Sequence, residues 1–200
     1  MIMATDSEEK KLNMRSDKFT IVLNDNELKL FKNAQHILTE FCTHDAITPV
    51  YIAVILHDRD KVEGQQAFKT QHYHVVVQFD KVCRIGTMIN YISDMFHCNA
   101  NQISIDKCNS ICMQSRYLIH ADDFDKAEYF PSEVHTKAEC RDAFERYLAL
   151  VIVRDYHDLI GVVKKYNYNL EECMQNIAHY DKWRRPILDL ISDHFRRKGY

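Results

Sequence analysis

The residues best placed to do chemistry lie in Thr70-Gln71-His72-Tyr73-His74-Val75-Val76-Val77-Gln78-Phe79. The β-branched run marks this stretch as a strand. A strand sends residues i and i+2 to the same face, so His72 and His74 stand side by side, with Tyr73 and Val75 opposite. Two imidazoles on a rigid strand make half of a metal site. His-x-His alone is a common pattern, and one exposed plus one hydrogen-bonded histidine is its ordinary reading. Upstream, the apolar run Val50–Leu56 delivers His57-Asp58-Arg59-Asp60 at its end. If the two strands are neighbours, His57 meets His72 and His74, and Asp60 can fold back from the loop to the same point. Asp58 is an alternative ligand. This set contains no thiol. Imidazole nitrogens with one hard carboxylate oxygen suit Mn²⁺ or Mg²⁺ with open positions, and Zn²⁺ is compatible. Three neutral histidines and one ionised aspartate leave a divalent ion with a local charge of about +1. Such a centre attracts phosphate and polarises a phosphoryl oxygen.

The elements that must position these groups follow from periodicity. Residues 1–16 read as a mixed-charge, disordered tail. Phe19–Leu23 is a strand. Asn24 with Glu27 predicts a capping box, opening a helix with Leu30, Phe31, Ala34, Leu38 and Phe41 on one face. Val50–Leu56 is a buried strand, and a polar loop with Gly64 leads to the His72/His74 strand. Ile85, Met88, Ile89, Ile92 and Met95 share the face of a second helix. Asn101–Asp106 alternates as a strand, Ser110–His120 is helical, and Ala127–Phe130 is a short closing strand before Pro131. The order β-α-β-β-α-β-α-β, with hairpin-length joins, predicts an α+β fold. Its antiparallel sheet carries helices packed on one face and leaves the other free for a site.

After Pro131 the pattern turns helical. Thr136 with Glu139 and Asn169 with Glu172 are capping-box pairs. Pro186 suits the first turn of a last helix carrying Ile187, Leu188, Leu190, Ile191 and Phe195. These features place a boundary at residues 131–136 and a small all-α domain at 137–200. Its short helices have wide apolar faces, and a domain of this size buries its core incompletely. Assembly into a homo-oligomer is therefore expected.

The formal charge of the 200-residue chain is −3, so nucleic-acid binding would rest on local patches. Seven cysteines without a Cys-x-x-Cys pair fit reduced thiols in the cytoplasm. Cys108 and Cys112, near His97 and Cys98, lack a standard zinc spacing. No apolar run is long enough to span a bilayer, and Met1–Ser16 lacks a signal-peptide core. A soluble, cytoplasmic protein without a membrane partner is expected.

Three motifs occur in order: Leu56-His57-Asp58-Arg59-Asp60, then His72-Tyr73-His74-Val75, then Arg116-Tyr117-Leu118-Ile119-His120 with Lys126 and Tyr129 downstream. Over roughly residues 19–130 the chain resembles the replication initiator (Rep) proteins of small rolling-circle plasmids, which are HUH endonucleases. The resemblance implies a five-stranded antiparallel sheet like an RNA-recognition-motif core, in an endonuclease and origin-binding domain at 17–131. It implies His57, Asp60, His72 and His74 as ligands of Mn²⁺ or Mg²⁺, and Tyr117 as the nucleophile of a single-tyrosine enzyme. His120 stands where many HUH proteins have lysine. Tyr129 is the next tyrosine, with a core or surface role expected. The helical region resembles the family in character alone, and there such a region serves oligomerisation.

The implied partner is origin DNA, single-stranded at the nick. A free phenol is ionised in only about one molecule in a thousand at neutral pH, so it needs a nearby cation or metal-bound phosphate. Its attack on DNA phosphate gives a 5′-phosphotyrosine and a 3′-hydroxyl that can prime host replication proteins. The bond energy is kept in the ester, in accord with the absence of a G-x-x-x-x-G-K-[ST] loop. Three other readings remain: a single-tyrosine HUH transposase or relaxase, an inert nucleic-acid-binding module, and a protein with structural zinc.

Overall fold

A computed structural model describes residues 6–24, 30–62, 67–123 and 125–199. Among these residues, five antiparallel strands form one sheet. They are β1 (Arg15–Asn24), β2 (Pro49–His57), β3 (His72–Arg84), β4 (Ile103–Lys107) and β5 (His135–Thr136), in the order β4-β1-β3-β2-β5. The α+β class and the five-stranded antiparallel sheet are as expected. β3 lies at the centre, hydrogen-bonded to β1 on one side and β2 on the other.

Alternation along the strands decides what each face carries. Phe19, Ile21 and Leu23 of β1, Ile52 and Val54 of β2, and Tyr73, Val75, Val77 and Phe79 of β3 point to one side. There they pack against two helices, α2 (Ala34–Thr43) through Ile37, Leu38 and Phe41, and α3 (Ile85–Phe96) through Met88, Ile92 and Phe96. The second face carries His57, His72 and His74. A further helix, α4 (Ile111–Leu118), crosses part of this face, held by a 2.7 Å hydrogen bond between the Tyr51 and Ser115 hydroxyls.

Several expectations are corrected. Asp6–Asn13 form a helix, α1, and β1 begins at Arg15, so residues 6–16 are not a disordered tail; residues 1–5 lie outside the described residues. The helix docks at the start of α3, where Ile85 N donates to Met14 O at 3.0 Å. A Cβ on Gly86 would lie 3.3 Å from the Leu12 carbonyl oxygen, so glycine permits this approach. Asn24 ends β1, while Glu27 lies outside the described residues, as does Gly64. The cap of α2 is Asn33, whose side chain accepts from His36 N.

The closing strand is β5, not Ala127–Phe130. Phe130 instead precedes a single 3₁₀ turn over Pro131–Glu133, and Glu133 accepts its backbone N–H at 2.7 Å. Thr136 is consequently a strand residue and caps no helix.

Contacts divide the chain into compact units at 1–145 and 146–200, later than the expected boundary at 131–136. The segment after Pro131 still belongs to the sheet: β5 pairs with β2, and Lys137 Nζ donates to Pro49 O at 3.1 Å. A helix over Arg141–Ala149 (α5) contains the division. The second unit holds α6 (Tyr156–Lys165), α7 (Leu170–Asn176) and α8 (Tyr180–Arg197) around Val153, Leu159, Val163, Cys173, Ile177 and Ile187. Asn169 caps α7, accepting from Glu171 N and Glu172 N. Pro186 lies inside α8 and not in its first turn, because Tyr180 and Trp183 extend the helix backwards while packing on this core. Among the described residues, no helix is long and apolar enough to cross a membrane.

Candidate active site

The register of the sheet assembles the histidines. His57 pairs directly with His72, and Ile55 with His74, so all three imidazoles share one face. Their donor atoms come within 4.8 Å of one another. Asp60 does not join that trio as one group of four. It forms a second cluster with His57 and His120, and His57 belongs to both. Asp58 is in neither and contacts Arg59 at 3.4 Å.

Backbone carbonyls fix the tautomers. A carbonyl can only accept, so the ring nitrogen facing it must carry the proton. His57 Nε2 donates to Leu118 O at 2.8 Å, His72 Nδ1 to Thr70 O at 2.7 Å, and His120 Nδ1 to Ala127 O at 2.7 Å. In each neutral ring the other nitrogen is then a bare lone pair. This is the outer-shell arrangement that orients metal-binding imidazoles. Burial pulls His57 down to about 4 and His74 to about 2, with neighbouring histidines adding to the effect, so both are neutral near pH 7.

Two close approaches test the fit of a cation. His57 Nδ1 is buried without a hydrogen-bond partner among the described residues, yet lies 3.3 Å from Asp60 Oδ2. A lone pair facing a carboxylate is repulsive unless a proton or a metal intervenes. His72 Nε2 and His74 Nε2 are 3.0 Å apart. Metal–nitrogen bonds of about 2.1 Å place neighbouring ligands of an octahedral ion about 3.0 Å apart. The donor set fits a divalent ion, with His57, His72 and His74 as nitrogen donors and Asp60 adjacent.

Tyr129 contributes in a way its sequence position did not reveal. It is 1% exposed, and its ring stacks on His57 with centroids 4.5 Å apart and planes at 14°. Its hydroxyl accepts from Arg59 N at 2.9 Å and donates to Asp60 Oδ1 at 3.3 Å. Burial raises its pKa, which keeps that proton in place. The Arg59 guanidinium sits 4.3 Å from the ring centroid and pairs with Glu133 at 2.6 Å. Tyr129 thus braces both a histidine and the carboxylate.

Tyr117 has the opposite character. It sits in the last turn of α4, 38% exposed, with its ring 5.9 Å from that of His74 and 5.2 Å from that of His120. Lys126 Nζ donates to its hydroxyl at 3.1 Å. Arg116, the preceding residue, is buried and forks onto Asp122 with bonds of 2.8 and 2.7 Å. That pair closes the turn after α4, where His120 takes a left-handed conformation with φ 54°. The sequence singled out Tyr117 and named Lys126 downstream in the same motif, but assigned Lys126 no role; the structure places its ammonium on the Tyr117 hydroxyl.

None of the seven cysteines is in a disulfide, and among the described residues no metal-ligand cluster includes Cys98, Cys108, Cys112 or His97. A third cluster, Asp155, His157 and Asp158, is exposed, and Asp155 is the cap of α6.

Comparison with curated proteins gives no match. The model of the family "plasmid replication protein, origin binding domain" matches residues 11–141, which include every group of the site. The match falls within the first unit, and the chain belongs to this family of plasmid replication proteins.

Proposed function

We propose that the chain initiates rolling-circle replication by nicking and rejoining single-stranded DNA at the plasmid origin, as a single-tyrosine HUH endonuclease. The observation that carries this reading is an accessible phenol, Tyr117, whose ring lies 5.9 Å from that of His74, in a histidine cluster where backbone carbonyls preset the lone pairs of His57 and His72. His57, Asp60, His72 and His74 would hold Mn²⁺ or Mg²⁺. When bound, the ion supplies Lewis-acid polarisation of the scissile phosphate and offsets charge in the transition state. Tyr117 Oη attacks the phosphorus, forming a 5′-phosphotyrosine and releasing a 3′-hydroxyl that host polymerase can extend. Reversal by another 3′-hydroxyl rejoins the strand. Tyr129 and the carbonyls of Leu118 and Thr70 would keep His57, His72 and Asp60 in place while this occurs, and Ala127 O would hold the His120 ring beside them. Membership of a plasmid replication family favours this role over a transposase or relaxase. Residues 146–200 would assemble the protein into an oligomer.

The test uses single-stranded oligonucleotides tiled across the replicon that encodes the chain, incubated with the protein and Mn²⁺. A covalent adduct on the 5′ side of the break should map by peptide mass to Tyr117. Tyr117→Phe should abolish it while DNA and metal binding persist, since the change removes one oxygen. An adduct on Tyr129, or nicking by Tyr117→Phe, refutes the assignment. Wild-type binding with no cleavage on any oligonucleotide would favour the inert module. Gross unfolding on chelation would favour structural zinc.

A further inference from the structure

The register that pairs His57 with His72 does not stop at those residues. Beyond them Lys69 N donates to Asp60 O at 2.7 Å, Lys61 bridges Phe68 as an antiparallel pair, and Val62 N donates to Ala67 O at 2.8 Å. β2 and β3 thus continue, without a slip, into a two-stranded arm. The arm is tied to the candidate metal site on both sides. Asp60 leads into it, and Thr70, whose carbonyl holds the His72 ring at 2.7 Å, leads out.

Among the described residues, the most exposed large apolar side chain is on this arm: Phe68, at 63%. A phenyl face in water is unfavourable until something covers it. Lys61 lies directly across from Phe68 and Lys69 follows it; both are exposed, and neither is in an ion pair among the described residues. An aromatic face between two such cations fits a nucleobase with phosphates on either side. An apolar protein partner would instead have to desolvate two ammonium groups without compensation. Phe130, 59% exposed, is flanked in the sequence by Glu128 and Glu133, whose carboxylates repel phosphate.

The geometry points to Phe68 as a stacking seat for an unpaired nucleobase of the origin strand, with Lys61 and Lys69 on the flanking phosphates. This rests on the strand being single where it meets the site. The arm starts at Asp60 and returns to His72, so a base on Phe68 belongs to a nucleotide close to the scissile phosphate, and stacking would fix the position of the strand there. Every base has a π face, so the seat holds position and leaves the reading of sequence to other surfaces.

The assay measures affinity for a single-stranded origin oligonucleotide with no metal added, so that no strand is cut. Phe68→Ala should bind about 5- to 150-fold more weakly, the range for losing one stacked base. Phe68→Trp should bind at least as tightly as wild type, while Phe68→Leu, apolar but without a π face, should stay near the alanine variant. Oligonucleotides with one abasic position at a time locate the base: one position should weaken wild type by a similar factor and have little further effect on Phe68→Ala. Lys61→Gln and Lys69→Gln should each reduce the slope of log affinity against log salt by about 0.7. A leucine variant as tight as the tryptophan one overturns the inference, as does an abasic scan that affects wild type and Phe68→Ala alike at every position. Unchanged salt slopes in both lysine variants overturn it too. Wild-type protein that binds duplex origin DNA but no single strand refutes the functional reading and this inference with it. Single-strand binding that Phe68→Ala leaves at wild-type strength refutes this inference alone.

Discussion

Acid should destabilise the metal-free protein well before its carboxylates titrate, and His57 sets the size of the effect. Its folded pKa is about 4, lowered first by burial and further by His120 and His72, while the Leu118 carbonyl and Asp60 act the other way. In the unfolded chain a histidine titrates near 6.5. Between these values the unfolded state binds more protons, so stability rises with pH and is lost as pH falls through that window. The full difference is on the order of 3 kcal/mol, of which about 2 kcal/mol is lost between about pH 7.5 and about pH 5. For a domain stable by about 5–15 kcal/mol this is a large share. His74, lowered further, adds in the same direction. Urea unfolding in the presence of chelator, repeated across this range, reads the slope. His57→Gln keeps a donor for Leu118 O and removes the proton site, so its slope should be visibly shallower. Equal slopes in wild type and variant would refute the idea that His57 is buried neutral. Saturating Mn²⁺ should raise stability most at neutral pH, where its ligands are deprotonated.

His72→Ala or His74→Ala should weaken Mn²⁺ binding in calorimetric titration and abolish cleavage while leaving the circular dichroism spectrum intact; unchanged affinity in both variants would reject the metal assignment. Tyr129→Phe keeps the stack on His57 but strips Arg59 N and Asp60 of a partner, so stability should drop by about 1–3 kcal/mol. Its Mn²⁺ affinity should fall about 10- to 100-fold, the range for outer-shell changes, and wild-type affinity would show that Asp60 needs no brace. In light scattering, the full chain should be oligomeric at micromolar concentration and a chain ending at Ala149 monomeric. A monomeric full chain would assign the second unit another role.

The sheet was legible because its signals are periodic. Period-2 alternation placed His72 and His74 on one face, and a single polar loop between the two strands made β2 the neighbour of β3, which brought in His57. The rest depended on contacts with no period. A two-residue strand such as β5 has no pattern to detect, so the closing element was placed too early. Tyr129 looks like any core aromatic until its hydroxyl is seen on Asp60. The carbonyls of Leu118, Thr70 and Ala127 are backbone groups and leave no mark in residue identities. Lys126 reaches Tyr117 through a turn whose closure depends on Arg116 meeting Asp122, a pairing of ordinary surface residue types. Eight mostly polar residues at Asp6–Asn13 read as tail because their partner, the Gly86 notch, is remote in sequence.

The central position of β3 divides the site into a slow half and a fast half. Amides around His72–His74 are paired to β1 and β2 on both sides, so their exchange with solvent deuterium waits for unfolding of the whole sheet. Tyr117 rides on an eight-residue helix at the edge of a turn, where local opening requires far fewer broken bonds. Tyr117 can therefore detach and return many times within one lifetime of the histidine frame, and if it is the proposed nucleophile, a strand joined to it would be carried away from the frame and brought back without dismantling it.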